Sequence, residues 1–299
     1  MNKILSQITT KIKADGYRRS TAEALHIIAN KLNNTGELNF IGHQHIAHRN
    51  LSKYMTFKNK HILEIGGDSS CQSARPFLAD GAAQIVVTGL GHIAKEQRGT
   101  ITVMRADALA LSQFFEPCSF DAVYGLSVIE HIRNPKLLLQ ELHRVLKPNG
   151  LAFLEGRAIW SSAKGHHLWI DTGRNSPFRG MATANYFFCP VQNKKSTNPL
   201  PDWSHIIYNP DEMAAYLQTK GIPSIDIECI IQWTYHRDEI NRLGMTEISE
   251  AYTTASFAVL QAETAHIGVP RDIKRKLIEK FGYGIDFSCE GVKYILKKC

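Results

Sequence analysis

Glu64-Ile65-Gly66-Gly67-Asp68 places a carboxylate just ahead of paired glycines, so a backbone can approach a ligand closely while the acid orients a ligand amine or the loop itself. Arg105-Ala106-Asp107-Ala108 sets a second acid beside a small residue. A tight turn accounts for the glycines and a helix cap for Asp107 equally well when each is taken singly. Glu130-His131 brings an imidazole whose ordinary pKa, about 6.5, suits a proton acceptor, or simply caps and orients the segment that follows. A further cluster runs Gly156-Arg157-Ala158-Ile159-Trp160-Ser161-Ser162-Ala163-Lys164-Gly165-His166-His167-Leu168-Trp169. Its aromatic faces, hydroxyls and imidazoles suit a sugar or other polyol; alternatively Trp160 and Trp169 close the core edge while His166 and His167 lie at the surface. Arg157, Arg174 and Arg179 can bind a carboxylate or phosphate, or can be solvated.

These residues need elements to position them. From His61 onward, short apolar runs at 62–65, 85–88, 101–104, 122–126 and 151–154 alternate with helical patterns. Apolar strands separated by helices predict a parallel sheet covered on both faces. In such a sheet a ligand lies beyond the carboxyl ends of the strands, and the clusters above follow those ends. The helix after the fourth strand is well marked: Asn134 caps it, Pro135 takes its first position, Leu138, Leu142, Val145 and Leu146 form its stripe, and Lys147-Pro148-Asn149-Gly150 stops it. Asn209-Pro210-Asp211-Glu212 opens another helix, ending at Lys220-Gly221 and leading into a strand at 225–231. After Trp233 two further helical patterns are expected, one ending near Ala265 and one opening at Pro270, then a terminal strand at 292–296. The stretch 156–208 has little periodicity, as functional loops often do. Ahead of the sheet, Ile4, Ile8 and Ile12, and then Leu25, Ile28 and Leu32 after the capping box Ser20-Thr21-Ala22-Glu23, predict two amphipathic helices. The division expected is a basic helical segment over 1–57 and a main domain over 58–299, with an acceptor-side insertion at about 157–208 and C-terminal helices and strand over 233–299.

With 299 residues, 43% hydrophobic and 21% charged, the chain has ordinary globular composition, which excludes global disorder. No apolar stretch nears the roughly 20 residues of a bilayer span, and no apolar block follows Lys3, so a soluble, cytoplasmic protein is expected. The six cysteines, Cys71, Cys118, Cys189, Cys229, Cys289 and Cys299, form no C-x-x-C pair and are expected as thiols. The net charge of +7 is N-terminal: residues 1–60 hold ten Lys/Arg against three Asp/Glu. A solvated helix face explains it, and so does attraction of a phosphate-bearing acceptor or nucleic acid.

The ordered set continues through Ser119-Phe120-Asp121-Ala122-Val123-Tyr124-Gly125-Leu126-Ser127-Val128-Ile129-Glu130-His131-Ile132 and Glu141-Leu142-His143-Arg144-Val145-Leu146-Lys147-Pro148-Asn149-Gly150. Over about residues 58–156 it resembles class I methyltransferases of the small-domain type that includes ubiquinone and sugar methyltransferases. The resemblance implies an α/β fold with an open, mainly parallel, Rossmann-like seven-stranded sheet whose last strand is antiparallel. It also implies S-adenosylmethionine lying over the first strands. Glu64 and Gly66 match the acidic and first glycine positions of the cofactor loop, Asp107 and Ala108 the adenine-reading pair, and Ser127 and Val128 the end of the fourth strand beside the methyl donor. Gly67, Asp68 and Gly89 complete the implied cofactor contacts. Two departures stand out. Asp68 and Ser70 occupy usual glycine positions, and the second strand ends Val86-Val87-Thr88-Gly89-Leu90-Gly91 with no acid for the ribose; Glu96 is a candidate for that role, though spacing does not require it.

The activity implied is methyl transfer to a small-molecule or saccharide acceptor, with surface-glycan biosynthesis as the setting that the 156–169 cluster resembles. His131, His166 and His167 are the candidates for deprotonating an alcohol. No metal is expected: Glu130-His131 is similar to a magnesium-holding pair in some ubiquinone-type relatives, but Ser127 stands where a further acid is wanted. The fourth strand lacks the Asn/Asp-Pro-Pro-aromatic clamp of nucleic-acid amino methylation, which disfavours that acceptor. RNA ribose or carbon methylation stays open, as does a non-catalytic binding or regulatory protein on the same scaffold.

Overall fold

The computed structural model describes residues 44–91, 95–168, 170–171, 196–197, 200–253 and 256–299. The expected N-terminal helices, together with Trp169, Arg174, Arg179 and Cys189, lie outside the described residues.

Five strands follow the apolar runs closely: β1 (His61–Ile65), β2 (Gln84–Thr88), β4 (Ile101–Met104), β5 (Phe120–Gly125) and β6 (Leu146–Arg157). A short β3 (Glu96–Arg98) forms a hairpin with β4. With β9 (Phe257–His266) and β10 (Cys289–Lys298) they make one sheet in the order β3-β4-β2-β1-β5-β6-β10-β9, while the two-residue strands β7 (Ile170–Asp171) and β8 (Ser196–Thr197) pair with each other. β4, β2, β1, β5 and β6 are mutually parallel, and β10 is antiparallel to both β6 and β9. The sheet thus has eight strands instead of seven; the added one is β3, a three-residue polar edge strand with no apolar run to announce it.

Alternate residues of the central strands enter two separate cores, which explains their unbroken hydrophobicity. Leu63, Ile65, Val123 and Leu154 face α3 (Pro135–Val145), whose Leu138, Leu139, Leu142 and Val145 are buried. On the other face Ile62, Tyr124, Phe153 and Ile295 meet Phe77 of α2 (Arg75–Ala79) and Ala47 and Leu51 of α1 (Ile46–Leu51). The Asn134 side chain accepts from the Leu137 amide at 3.0 Å, the cap that the sequence announces.

Two expectations are overturned. The apolar run at 225–231 is not a strand but helix α6 (Ser224–Ile231), after α4 (Ser204–Ile207) and α5 (Pro210–Thr219). A continuous apolar run fits either structure, and here Ile227, Cys229, Ile230 and Trp233 pack on Met213 and Leu217 in a satellite core. The helical pattern expected to reach Ala265 stops within α7 (Met245–Thr253), and Phe257–His266 is strand β9. Its Ala, Gln and Glu content favours helix locally, but pairing along β10 overrides that preference. The expected helix opening at Pro270 is α8 (Arg271–Phe281). No described helix is long and apolar enough to cross a membrane, and the five described cysteines are free.

Candidate active site

The strand order reverses between β1 and β5, and the carboxyl ends of β1, β4, β5 and β6 share one edge of the sheet. At the tip of β1, Gly66 takes φ +69° and a β-carbon on it would lie 3.2 Å from Val128. Gly67 is bound more tightly: a β-carbon there would fall 2.6 Å from Val87 Cγ1 and 2.7 Å from Glu64 Cδ, so only glycine fits without movement. Asp68 accepts from the Ser70 amide at 2.6 Å and thereby shapes the loop.

Glu64 is 4% exposed and points into the core beneath this loop. Ser73 Oγ donates to its Oε1 at 2.6 Å and Tyr124 OH to its Oε2 at 2.7 Å. Burial pushes its carboxyl up to about 7, against the lowering effect of those two hydrogen bonds. Asp107, by contrast, is exposed after β4 and accepts from the Leu109 amide at 2.9 Å, with Ala108 half-buried behind it. The two acids therefore differ in role: Glu64 supports the loop from below, and Asp107 alone presents its carboxylate to solvent.

At the end of β2, the Thr88 hydroxyl donates to the Glu64 carbonyl at 2.8 Å and buried Gly89 follows. Glu96 is not placed as a substitute for the missing acid. It lies on β3, tied to Arg98 at 2.5 Å, and Arg98 also donates to the Ser69 carbonyl. At the tip of β5, Ser127 is half-buried with φ +49°, a left-handed conformation costing an L-residue roughly 1–2 kcal/mol.

Beyond Ser127 the chain makes a 3₁₀ turn, Ile129–His131, beside β6. Asn241 holds it, donating from Nδ2 to the Ile129 and Ile132 carbonyls at 2.7 and 2.9 Å, while its own amide donates to the Glu130 carbonyl at 2.9 Å. Neither Asn241 nor Glu239 carries a sequence signal, because each acts across more than 100 residues. The turn presents Glu130, 1% exposed, whose carboxylate meets no hydrogen-bonding side chain and faces the backbone amides of Glu130 and Arg157. Burial pushes it up to about 8.

His131 keeps part of its surface exposed and its Nδ1 donates to the Glu239 carbonyl at 2.5 Å. Its ring lies 5.5 Å from that of His167, centroid to centroid. His167 is buried, with Nε2 donating to the Ala158 carbonyl at 2.8 Å, and burial brings it down to about 4. His166 is fully buried, accepts the Leu168 amide on Nδ1 at 2.9 Å and packs on His205, which places it inside the loop instead of at an acceptor. The surface alternative for His166 and His167 is excluded on the same ground. One ligand atom each from Glu130, His131 and His167 lies within 4.8 Å of the others. The expectation of no metal looked to Ser127 for the third donor; the fold supplies an imidazole from a different loop.

On the other face of β6 a groove of about 460 Å³ opens between α1 and the β6–β10–β9 edge. Arg49, Asn50, Glu155, Arg157, Glu263 and Lys293 line it, with Arg157 paired to buried Glu155 at 2.8 Å and Lys293 to Glu263 at 2.5 Å. Glu155, Arg157 and Lys293 reach the groove from the sheet face that carries α1, whereas a β-carbon on Gly156 would point to the opposite face, 3.0 Å from Glu130 Oε2, so β6 separates the groove from the cluster.

Parallel strands ordered about one switch point, closed by an antiparallel strand between β6 and β9, define the Rossmann-like class I methyltransferase scaffold. Over residues 81–154 the chain matches the family model described as a methyltransferase domain. Over 220 residues it is 26% identical to a ubiquinone biosynthesis O-methyltransferase of Cereibacter sphaeroides, covering 70% of this chain and 77% of that one. Among solved structures it is similar to an S-adenosylmethionine-dependent methyltransferase from Mesorhizobium loti, at 14% identity, 89% and 100% coverage and a TM-score of 0.45. It is also similar to the YcgJ protein of Bacillus subtilis, at 12% identity, 84% and 97% coverage and a TM-score of 0.41. The match to the methyltransferase-domain model implies S-adenosylmethionine as cofactor. The side-chain-free tip of β1, exposed Asp107 and the Ser127 hydroxyl suit that molecule in kind, although no acid ends β2.

Proposed function

We propose that the chain O-methylates a small, polar, hydroxyl-bearing acceptor, of which a saccharide is the leading case, seated in the groove between α1 and the β6–β10–β9 edge. The observation that carries this reading is the lining of the groove. Paired carboxylates and cations offer donors and acceptors to several hydroxyls at once, whereas a lipid-like acceptor calls for an apolar wall. In this reading Gly66, Gly67, Asp68 and Gly89 supply the backbone of the cofactor cradle, Asp107 and Ala108 receive the adenine, and Ser127 lies beside the methyl donor. Glu64 positions the loop and does not touch the ligand.

Methyl transfer from a sulfonium is an in-line displacement, so alignment supplies much of the rate and a hydroxyl acceptor must also lose its proton. In this reading His131, partly exposed after β5, is the candidate to take that proton, and fully buried His166 has no part in it. The test is to incubate the protein with methyl-labelled S-adenosylmethionine and fractions of a polar metabolite extract. A labelled product heavier by one methyl group, and degraded by glycan-specific chemistry, is expected. Label recovered only in prenylated quinone precursors or in RNA would sink the acceptor assignment, and absence of cofactor binding by folded protein would sink the cofactor site.

A further inference from the structure

We propose that Arg242, Trp160, Thr234 and His205 form a binding site for a small ligand that carries an oxyanion, a carboxylate or a phosphate, close to a hydroxyl. The inference rests on local chemistry and not on the acceptor groove, which lies across β6. Trp160 comes from the loop after β6, His205 from α4, and Thr234 from a π-helical turn, Gln232–His236, that extends α6. Ile159 and Leu243, which flank Trp160 and Arg242, pack into the core on the α3 side of the sheet. Asn241 sets the position of Arg242: it fastens the 3₁₀ turn after β5, and its Oδ1 accepts from the Leu243 amide at 3.0 Å. The site therefore lies beyond the carboxyl ends of β5 and β6, the edge at which open α/β sheets bind ligands.

Arg133, Arg237 and Arg242 gather here against two carboxylates. Asp238 pairs with Arg133 at 3.0 Å and Glu239 with Arg237 at 3.6 Å, so both acids near Arg242 are engaged elsewhere. Arg242 is half-buried, and burial disfavours its charge. Its Nη2 donates to the Thr234 and Arg237 carbonyls, which caps the π-helical turn, but Nε is buried with no partner among the described residues. The guanidinium carbon stands 5.6 Å from the centre of the Trp160 ring. An oxyanion meets both deficits at once, since it balances the charge and accepts charge-assisted hydrogen bonds. Arg242 also holds φ +56°, a left-handed conformation that bulky residues rarely adopt and that clusters at ligand sites.

The hydroxyl requirement comes from His205. Its ring meets Trp160 edge-on at 4.6 Å, and Nε2 donates to the Trp160 carbonyl at 2.8 Å. Burial pushes it down to about 4, so the ring is neutral and Nδ1 is an acceptor, buried with no donor against it. Thr234 Oγ1 and, next to Trp160, Ser161 Oγ are also buried and without a partner. Orphaned buried polar atoms are uncommon, and these belong to residues joined through one indole and one guanidinium. A sugar phosphate or a sugar acid satisfies the cation and the Nδ1 acceptor together. A neutral sugar leaves the first unmet, and a bare anion the second.

The test titrates full-length protein, without S-adenosylmethionine, with glucose 6-phosphate, glucuronate, inorganic phosphate and glucose, read by calorimetry and tryptophan fluorescence. One equivalent of glucose 6-phosphate or glucuronate should bind with a Kd of about 1 mM or tighter, and the one that binds better identifies the anion as phosphate or carboxylate. Affinity should fall at least tenfold in Arg242→Gln and hold in Arg271→Gln, whose arginine is exposed on α8. Should Arg242→Gln fail to fold, Arg242→Lys and Thr234→Val carry the same test, each with a loss of about threefold or more. In Trp160→Phe the fluorescence change should vanish while calorimetric binding persists. Folded wild-type protein that binds neither sugar anion at about 10 mM overturns the site, and so does binding that survives every Arg242 and Thr234 variant. Glucose binding as tightly as the anions removes the oxyanion from the assignment, and inorganic phosphate binding as tightly as glucose 6-phosphate removes the hydroxyl.

Discussion

Replacing Glu64 by Gln should remove a pH dependence of stability that the native fold carries. The carboxyl is fully buried and held up to about 7, against 4.5 when exposed. A raised acid stabilises most while it is protonated in both states. That stability is fully present below about pH 4.5 and is lost as pH rises through about 7. The difference of about 2.5 units corresponds to roughly 3.4 kcal/mol at most, of which roughly 3 is lost by pH 7. Gln is neutral throughout and keeps the two contacts, because the Ser73 and Tyr124 hydroxyls can turn to accept. Glu130 and the buried histidines titrate in both proteins, so the difference between the two curves isolates Glu64. Urea unfolding at intervals from pH 4.5 to 8 should therefore show Glu64→Gln gaining about 3 kcal/mol on the wild type, ending as the more stable protein. Curves that run parallel to within about 0.5 kcal/mol would refute the inward, protonated Glu64.

Gly67→Ala should destabilise by about 1–3 kcal/mol by overpacking against Val87 and Glu64, read as a lower urea midpoint, and should weaken cofactor binding. Asp107→Ala removes an exposed carboxylate and one turn hydrogen bond, so a stability loss near 1 kcal/mol is expected alongside at least a tenfold loss of S-adenosylmethionine affinity by calorimetry. Asn241→Ala removes two bonds from the 3₁₀ turn, with an expected cost of about 1–3 kcal/mol read as a lower urea midpoint, whereas the affinity for S-adenosylmethionine should hold.

The parts of the fold visible in the sequence are those written in short-range patterns. The runs at 62–65, 85–88, 101–104 and 122–126 need cover on both faces, and only a central strand or a buried helix provides it; their brevity decides for strand. Asn134-Pro135 and Asn209-Pro210-Asp211-Glu212 carry their caps within four residues, and both helices begin there, the second with a full capping box. Where the deciding contact is distant, local reading fails. The run at 225–231 is a helix because Met213 and Leu217 offer it a helical groove. Phe257–His266 is a strand because β10 offers it a ladder.

For the site, the sequence by itself determined which residue types gather at the strand ends and in what order, since the strand-loop-helix rhythm dictates what falls at each carboxyl tip. It also determined that the end of β2 lacks an acid. Tertiary structure alone decided which of those residues face a ligand. It turned Glu64 inward to Ser73 and Tyr124, left Asp107 in solvent, buried His166, and tied Glu96 to Arg98. It also brought His167 to Glu130 and His131 from a separate loop. The reason is physical: spacing along a strand sets the side of the sheet on which a residue lies. Burial and the partner that satisfies each polar atom depend on segments far away in sequence, whose approach no local pattern encodes.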